Sequence, residues 1–365
     1  MTEGQQPKLL PDSFVAPASE IRAAFAQASA AEVVFVARQC LETGAWDQAL
    51  AVCEALADRD DPVIEICAAV ANFVAGERAV ALHRIERVLA HRPDHLSALA
   101  VQAQITMRLG QPDRAVTSLL RLIDRYPDYP GAQPQLATLL MPGPHYRQVL
   151  TEIHERLRPK TYLEIGFDTG ATLSLARYSS CVVGVDPGSQ EIKHPLPVGA
   201  RLFREESDVF FAQHTRAEVL GSRQIDLTFV DGLHRFENVL SDFANAEAWS
   251  HPGACIVLHD CVPLVRGTAT RERRTRFWVG DTWKIVPILR RFRPDLQITT
   301  LPCPPSGLVI VRALRPGSQP DWTRDRDAML EAGATLEWTS EPGSIPAEFN
   351  AVTNDERGLM QALGL

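Results

Sequence analysis

Two aspartates and two histidines between residues 231 and 260 are the side chains best suited to acid–base chemistry or metal binding. Asp231 and His234 follow one apolar run, and His259 and Asp260 follow the next. If these runs are neighbouring parallel strands, about 4.8 Å apart, the four side chains converge at one rim of a sheet. Two carboxylates with histidine can hold a divalent cation, and an oxygen-rich set favours Mg²⁺ or a similar hard ion.

A metal at this rim would lower the pKa of a substrate hydroxyl. We predict His234 as the general base, since its ordinary pKa is about 6.5, and Asp231 as the second catalytic residue. Asp231, His259 and Asp260 are the predicted metal ligands. Structural alternatives remain open: Asp260 could cap a turn, His259 could be a satisfied core histidine, and His234 could bind backbone amides.

The upstream loop from Glu164 to Gly170 combines glycines with carboxylates. Gly166 and Gly170 allow a tight turn and close approach of the backbone to a nucleoside. A pyrophosphate needs bare amides at a helix N-terminus, whereas Glu164 and Asp168 bring negative charge. S-adenosylmethionine carries a sulfonium and an ammonium, so the loop favours this cofactor. The third glycine of the dinucleotide motif GxGxxG is absent, which disfavours NAD.

Polar residues after the next two predicted strands extend this site. Asp186 could accept both ribose hydroxyls, and Ser207 and Asp208 could contact the adenine. Alternatively, Asp186 could begin a turn and Asp208 could cap a helix. The predicted cofactor-binding residues are Glu164, Gly166, Gly170, Asp186, Ser207, Asp208 and Asp231.

The elements that position these residues are strands alternating with helices. The predicted strands are Thr161–Ile165, Cys181–Val185, Arg201–Glu205, Ile225–Val230 and Ala254–Leu258. The predicted helices are Ala171–Tyr178, Arg235–Trp249 and Arg324–Ala332. This alternation predicts an α/β, Rossmann-like, mostly parallel doubly wound sheet, in which ligands bind at the carboxyl ends of the strands.

The first third of the chain contains three similar helical segments without gaps. Each has a turn glycine, an alanine seven residues before it, an alanine five residues after it and a proline further on: Gly44, Gly76, Gly110; Ala37, Ala69, Ala103; Ala49, Ala81, Ala115; Pro62, Pro93, Pro127. The spacing resembles the tetratricopeptide repeat, whose period is about 34 residues. These repeats predict either a concave surface that binds a partner or a packing and self-association element.

A proline-rich joint at residues 141–144 suits a domain boundary. We predict an N-terminal segment at 1–29, helical repeats at 30–141, an α/β domain at 144–315 and a C-terminal extension at 316–365.

Composition excludes some partners. The net charge of −8 gives no general basic field for nucleic acid or an anionic membrane. Neither a secretory signal nor an apolar run long enough to span a bilayer is evident, and the scattered cysteines suit a reducing compartment. We expect a cytoplasmic protein.

The run FVDGLHRFENVLSDFANAEAWSHPGACIVLHDCVP, together with GDTWKIVPILRRFRPDL and PSGLVIV, resembles bacterial class I methyltransferases, including macrocin-type sugar O-methyltransferases. The resemblance implies S-adenosylmethionine at the predicted cofactor site, Asp231 and Asp260 as metal ligands, and His234 as base. It implies O-methylation of a sugar or another small hydroxylated acceptor. His259 departs from the pattern, since metal-using relatives place a further carboxylate there.

Two other functions stay open. One is a non-catalytic scaffold in which the repeats bind a partner and the α/β domain senses the cofactor; the other, disfavoured, is a nicotinamide-dependent oxidoreductase. Between the fifth strand and Trp283, five arginines and two aromatic residues at 266–278 suggest a loop that faces the acceptor or a solvated loop.

Overall fold

The structure is a computed structural model that describes residues 23–25, 27–56, 60–317 and 322–365. It divides into two compact units, one ending at Ala132 and one beginning at Gln133. Within the described ranges, no helix combines the length and apolar character needed to cross a membrane.

Unit 1 consists of consecutive helices that pack against one another. They are α1 (Ala30–Glu42), α2 (Trp46–Glu54), α3 (Pro62–Val74), α4 (Arg78–His91), α5 (Leu96–Arg108) and α6 (Pro112–Arg125). Three-residue turns join α1 to α2, α3 to α4 and α5 to α6, so each pair is antiparallel. The helical repeats predicted from the glycine spacing are therefore confirmed.

Small residues explain how these pairs form. The turn glycines Gly44, Gly76 and Gly110 have φ values of +79°, +91° and +67°, where a β-carbon is disfavoured. The six alanines of the repeat pattern are all 0% exposed, which lets the helices approach closely. Pro93 and Pro127 follow the ends of α4 and α6, as predicted. Pro62 differs, because it is the first residue of α3. The first N–H groups of a helix have no partner within the helix, so a proline without an N–H costs no hydrogen bond there.

Unit 2 is built on a seven-stranded sheet with the order β3-β2-β1-β4-β5-β7-β6. The strands are β1 (Thr161–Ile165), β2 (Cys181–Val185), β3 (Arg201–Phe203), β4 (Ile225–Val230), β5 (Ser250–His259), β6 (Gln297–Leu301) and β7 (Leu308–Arg312). Strands β1 to β5 are parallel and β7 is antiparallel to both neighbours. The usual dinucleotide-binding order is 3-2-1-4-5-6, so this sheet differs by the insertion of β7.

Helices cover both faces of the sheet and confirm the doubly wound prediction. The helices are α7 (Ala132–Leu140), α8 (Tyr146–Leu157), α9 (Ser207–Gln213), α10 (Arg216–Leu220), α11 (Phe236–Trp249), α12 (Ile285–Phe292), α13 (Trp322–Ala334) and α14 (Glu356–Leu363). One core layer joins α8 and α14 to the sheet. The other core layer lies on the opposite face and joins the five helices α9, α10, α11, α12 and α13 to the sheet. The proline-rich joint at 141–144 lies between α7 and α8.

The predicted helix Ala171–Tyr178 is wrong, because only Leu173–Leu175 forms a short 3₁₀ turn. The cause is a buried hydrogen bond: the Thr172 hydroxyl donates to the Glu164 carboxylate over 2.6 Å. A side chain tied back to β1 competes with helical geometry. Three strand limits also differ from prediction, since β3 ends at Phe203 and β5 runs from Ser250 to His259.

Replacing Gly76 by alanine is expected to destabilise unit 1 by about 1–2 kcal/mol, because the left-handed φ penalises a β-carbon. The space around Gly76 is open, so the effect isolates backbone strain. Gly267→Ala is the matched control, since that site is also open and has no left-handed φ. Urea unfolding of both variants, followed by circular dichroism, measures the difference. Equal effects of the two substitutions would contradict this account of the turn.

Glu164→Gln should change how stability depends on pH. Burial raises the pKa of Glu164 to about 8 from its ordinary 4.5, although Thr172 and Tyr162 hydrogen bonds oppose the rise. The folded protein therefore binds more protons between these pH values. Stability should fall as pH rises from 4.5 to 8, by up to about 1.4 kcal/mol per unit.

Glutamine cannot ionise, so this fall should be reduced in the variant and retained in the exposed control Glu341→Gln. Unfolding free energies at pH 5 and pH 8 provide the test. An unaltered difference between the two pH values in Glu164→Gln would rule out a buried, protonated Glu164.

Candidate functional site

A cavity of about 300 Å³ lies beyond the carboxyl ends of β1, β2 and β4. Five predicted cofactor residues line it: Gly166, Asp186, Ser207, Asp208 and Asp231. Glu206 adds another carboxylate to the wall. The other two predicted residues, Glu164 and Gly170, are not among its lining residues.

Gly166 permits the closest backbone approach at this cavity. Its φ is +86°, and a β-carbon would lie 2.0 Å from the Asp231 carbonyl oxygen. The Asp231 N–H donates to the Ile165 carbonyl over 2.8 Å, which locks the loops after β1 and β4 together. Gly170 also has a left-handed φ, +83°, but faces Leu196 and Ile192. Gly170 therefore shapes the loop from within the core.

Asp186 is fixed by two backbone amides. Its carboxylate accepts hydrogen bonds from the N–H groups of Asp168, at 2.7 Å, and Gly188, at 2.6 Å. Asp186 thus begins a turn at Pro187-Gly188, the structural role considered for it, and the same residue also lines the cavity. Each oxygen keeps a further lone pair for a ligand hydroxyl.

Sequence reasoning missed a buried carboxyl behind this wall. Asp242, on α11, is 1% exposed and bonds to the side chain of Ser207. Its Oδ1 has no hydrogen-bond partner among the described residues. Burial raises the pKa of Asp242 to about 7, despite the Ser207 bond. In the sequence, the feature that could have indicated this group is an acidic residue among the apolar residues of α11. Ser207 and Asp208 themselves lie in the first turn of α9.

The predicted cluster of aspartates and histidines is assembled at the adjoining rim. Strands β4 and β5 pair in parallel with Val230 opposite Leu258, so their following residues meet. His234 Nε2 lies 3.1 Å from Asp260 Oδ2 and 3.7 Å from Asp231 Oδ1. His259 Nδ1 lies 3.0 Å from Asp231 Oδ1 and 3.4 Å from Asp260 Oδ1.

Potential ligand atoms of Asp231, His234 and Asp260 all lie within 4.8 Å of one another. This three-residue set contains His234, whereas the predicted ligand set contained His259. His259 instead bridges the two carboxylates from the buried side, and its Nε2 is 3.4 Å from the Ser306 hydroxyl. Asp260 has a left-handed φ of +57°, so the chain is strained at the rim.

The protonation of His234 follows from its contacts. Nδ1 lies 3.0 Å from the Trp278 carbonyl oxygen, which can only accept, so Nδ1 carries a proton. The other ring nitrogen, Nε2, faces the carboxylates of Asp231 and Asp260. Burial opposes the charged form, but Asp260 and Asp231 together raise the pKa of His234 to about 9.

The segment after β5 holds this histidine in place, a contribution that sequence reasoning also missed. The Asp281 carboxylate accepts a hydrogen bond from the N–H of Phe236 over 2.8 Å at the start of α11. Gly280 has a φ of +64°, and a β-carbon there would lie 1.7 Å from the His234 carbonyl oxygen. The Trp278 ring stacks on the His234 ring at 5.4 Å. Trp278, Gly280 and Asp281 thus support the loop that carries His234.

On the other side of the cluster, the Tyr146 ring contacts the His259 ring at a centroid distance of 4.3 Å. The Tyr146 N–H donates to the Pro304 carbonyl over 3.0 Å, which fixes the start of α8 beside the site. His251 lies away from the cluster, and its Nε2 is 3.0 Å from Asp226 Oδ1.

Comparison with known proteins gives one family match. Residues 163–261 match the model of a family described as a methyltransferase domain. No curated protein matches the chain.

The chain is also similar to parts of solved structures. The O-methyltransferase TomG from Streptomyces achromogenes, in complex with SAM, is 15% identical; the match covers 47% of this chain and 80% of that one, with a TM-score of 0.38. Cofactor-bound Rv0187 from MTB is 15% identical over 55% of this chain and 97% of that one, with a TM-score of 0.37. The first TPR domain of human RPAP3 is 20% identical over 30% and 88%, with a TM-score of 0.29.

The matched segment runs from β1 to the residue after Asp260, and so contains both the cavity and the cluster. Over residues 163–261 the α/β unit is therefore similar to a methyltransferase domain.

Proposed function

We propose that this chain is an S-adenosylmethionine-dependent O-methyltransferase whose acceptor is a sugar or another small hydroxylated molecule. The observation that carries the proposal is the position of Asp231, which lines the cavity and belongs to the adjoining cluster. A cofactor in the cavity and an acceptor at the cluster would meet at this residue. Methyl transfer needs proximity, alignment and removal of one proton.

The cavity fits the cofactor by charge and by shape. Its wall includes the carboxylates of Asp186, Glu206, Asp208 and Asp231, which suit the sulfonium and ammonium groups. Gly166 lets the loop after β1 pack directly against the Asp231 backbone, which shapes this side of the cavity. Bound S-adenosylmethionine supplies an electrophilic methyl group.

The residues divide into two roles. Those that would contact the cofactor are Gly166, Asp186, Ser207, Asp208 and Asp231. Glu164 and Gly170 would shape the loop from behind the wall, since the Glu164 carboxylate accepts from Thr172 and Tyr162.

The cluster fits a hard divalent cation such as Mg²⁺. Asp231 and Asp260 offer carboxylate oxygens as ligands. His234 Nε2, 3.1 Å from Asp260 Oδ2, stays off the cation in this proposal because the same nitrogen is needed as the base. His259 is the orienting partner of both carboxylates in this proposal. A cation there would supply positive charge that lowers the pKa of the acceptor hydroxyl.

His234 would handle the proton at Nε2. Because the Trp278 carbonyl holds the proton on Nδ1, Nε2 is the nitrogen that can accept another. The two carboxylates favour the protonated ring, so His234 gains the capacity to act as a base as pH rises toward 9 or as their charge is neutralised.

The rival functions differ in what supports them. The insertion of β7 and the acidic cavity wall both disfavour a nicotinamide-dependent oxidoreductase.

A partner-binding role for the repeats is compatible with catalysis: Phe35 and Val74 in unit 1 are 63% and 55% exposed. We propose that residues 30–141 bind a protein partner or a second copy while residues 144–315 carry out methylation.

Asp186→Asn should weaken binding of S-adenosylhomocysteine at least about tenfold, because a charge-assisted bond to the ribose is lost. Calorimetric titration measures the dissociation constant, and the exposed Asp113→Asn is the control. Equal affinities of wild type and Asp186→Asn would remove this residue from the cofactor site. Absence of binding to the folded wild type would overturn the enzyme proposal.

His234→Gln should reduce kcat by about 100-fold or more while the affinity for S-adenosylhomocysteine stays nearly constant. The structural His251→Gln is the matched control. In EDTA, wild-type turnover should increase between pH 7 and 9 as His234 loses its proton, and Mg²⁺ should shift this rise to lower pH. Product formation with an acceptor found among sugars provides the readout; a variant equal to wild type would exclude His234 as base.

A further inference from the structure

We propose that the methyl acceptor carries a phosphate or carboxylate group, and that this anion binds Arg273 and Arg274 of the segment at 266–278, here called the basic segment. This inference rests on the proposed function and specifies its substrate class.

The basic segment is fixed to the rim of the cluster at both ends. The Thr268 carbonyl accepts from the N–H groups of Val279, at 3.0 Å, and Gly280, at 3.2 Å. At the same place the Trp278 carbonyl accepts from His234 Nδ1, and the Trp278 indole N–H donates to the Thr270 carbonyl. The two ends of the segment are thus hydrogen-bonded together beside His234, the proposed general base.

The tip of this loop is rich in positive charge. It contains Arg271, Arg273, Arg274 and Arg276, with Glu272 as the one acidic residue between residues 266 and 278. Arg271 is paired with Glu237, with 2.7 Å between Nη1 and Oε2. This pair anchors the loop to α11, so the candidates for binding a ligand are Arg273 and Arg274 at the tip.

Arg266, Arg273 and Arg274 are exposed, and none forms an ion pair among the described residues. Arg273 donates to two backbone carbonyls, those of Thr275 at 3.4 Å and Arg276 at 2.9 Å. These bonds orient the guanidinium without neutralising its charge. A guanidinium has five donors, so Arg273 retains several for a phosphate or carboxylate.

The charge on this side of the cluster is opposite to that of the cavity. The cavity wall is acidic and would repel an anion, whereas the basic segment would attract one in a chain of net charge −8. An acceptor with an anion at one end and a hydroxyl at the other would therefore be oriented, its hydroxyl directed to His234. Like charges held close together also repel, and a bound anion relieves that repulsion.

The test compares glucose 6-phosphate, glucuronate and neutral glucose as probes, titrated into the protein saturated with S-adenosylhomocysteine. Wild type should bind the two anionic probes and prefer them to glucose. The double variant Arg273→Glu/Arg274→Glu should lose at least about tenfold in affinity for the anionic probes. Its affinity for S-adenosylhomocysteine should stay unchanged, which also shows that it is folded.

Arg108→Glu/Arg357→Glu, with the same change in net charge at exposed sites elsewhere, should bind the probes as wild type does. The milder Arg273→Gln/Arg274→Gln should give an intermediate loss. Failure of wild type to bind either anionic probe, or equal binding by the charge-reversed variant, would overturn the inference while cofactor binding keeps the proposed function intact. Tighter binding of a single-stranded oligonucleotide than of either sugar anion, lost in the charge-reversed variant, would replace the small acceptor with nucleic acid.

Discussion

The α/β unit depends on holding two carboxylates, half-buried Asp231 and buried Asp260, at one rim of its sheet. Like charges removed from water are costly unless each is paired. Burial opposes ionisation, yet His259 and His234 hold the pKa of both carboxyl groups below the ordinary range. The two histidines are in turn held by neutral groups, namely the Trp278 carbonyl and the Ser306 hydroxyl. Charge at the centre is therefore balanced within a few ångströms and supported by uncharged partners outside it.

Much of this arrangement was predictable because parallel strands place their following residues at one edge. Asp186, Asp231 and Asp260 each follow an apolar run, and the run alone indicates where the strand ends. The repeats were predictable for a similar reason, since a glycine turn and two close-packed alanines recur at fixed spacing. In both cases a local pattern determines the geometry.

The remainder could not be predicted because it depends on contacts between distant parts of the chain. Asp281 accepts a hydrogen bond at the start of a helix that begins 45 residues earlier. Ser207 on α9 forms a side-chain hydrogen bond with Asp242 on α11. The expected helix at Ala171–Tyr178 failed through one such contact, the bond from Thr172 to Glu164. The choice between His234 and His259 as the third member of the cluster likewise depends on side-chain direction, which spacing does not fix.

The hydrogen bond from His234 to the Trp278 carbonyl has a consequence for sequence change. Its acceptor is a main-chain atom, so no side-chain replacement at position 278 removes it. The tautomer of the histidine is set by the path of the chain, and that path is secured by Gly280, which admits no larger residue. A change of side chain at position 278 is thus expected to preserve the tautomer of His234, whereas a larger residue at position 280 would displace the chain that sets it.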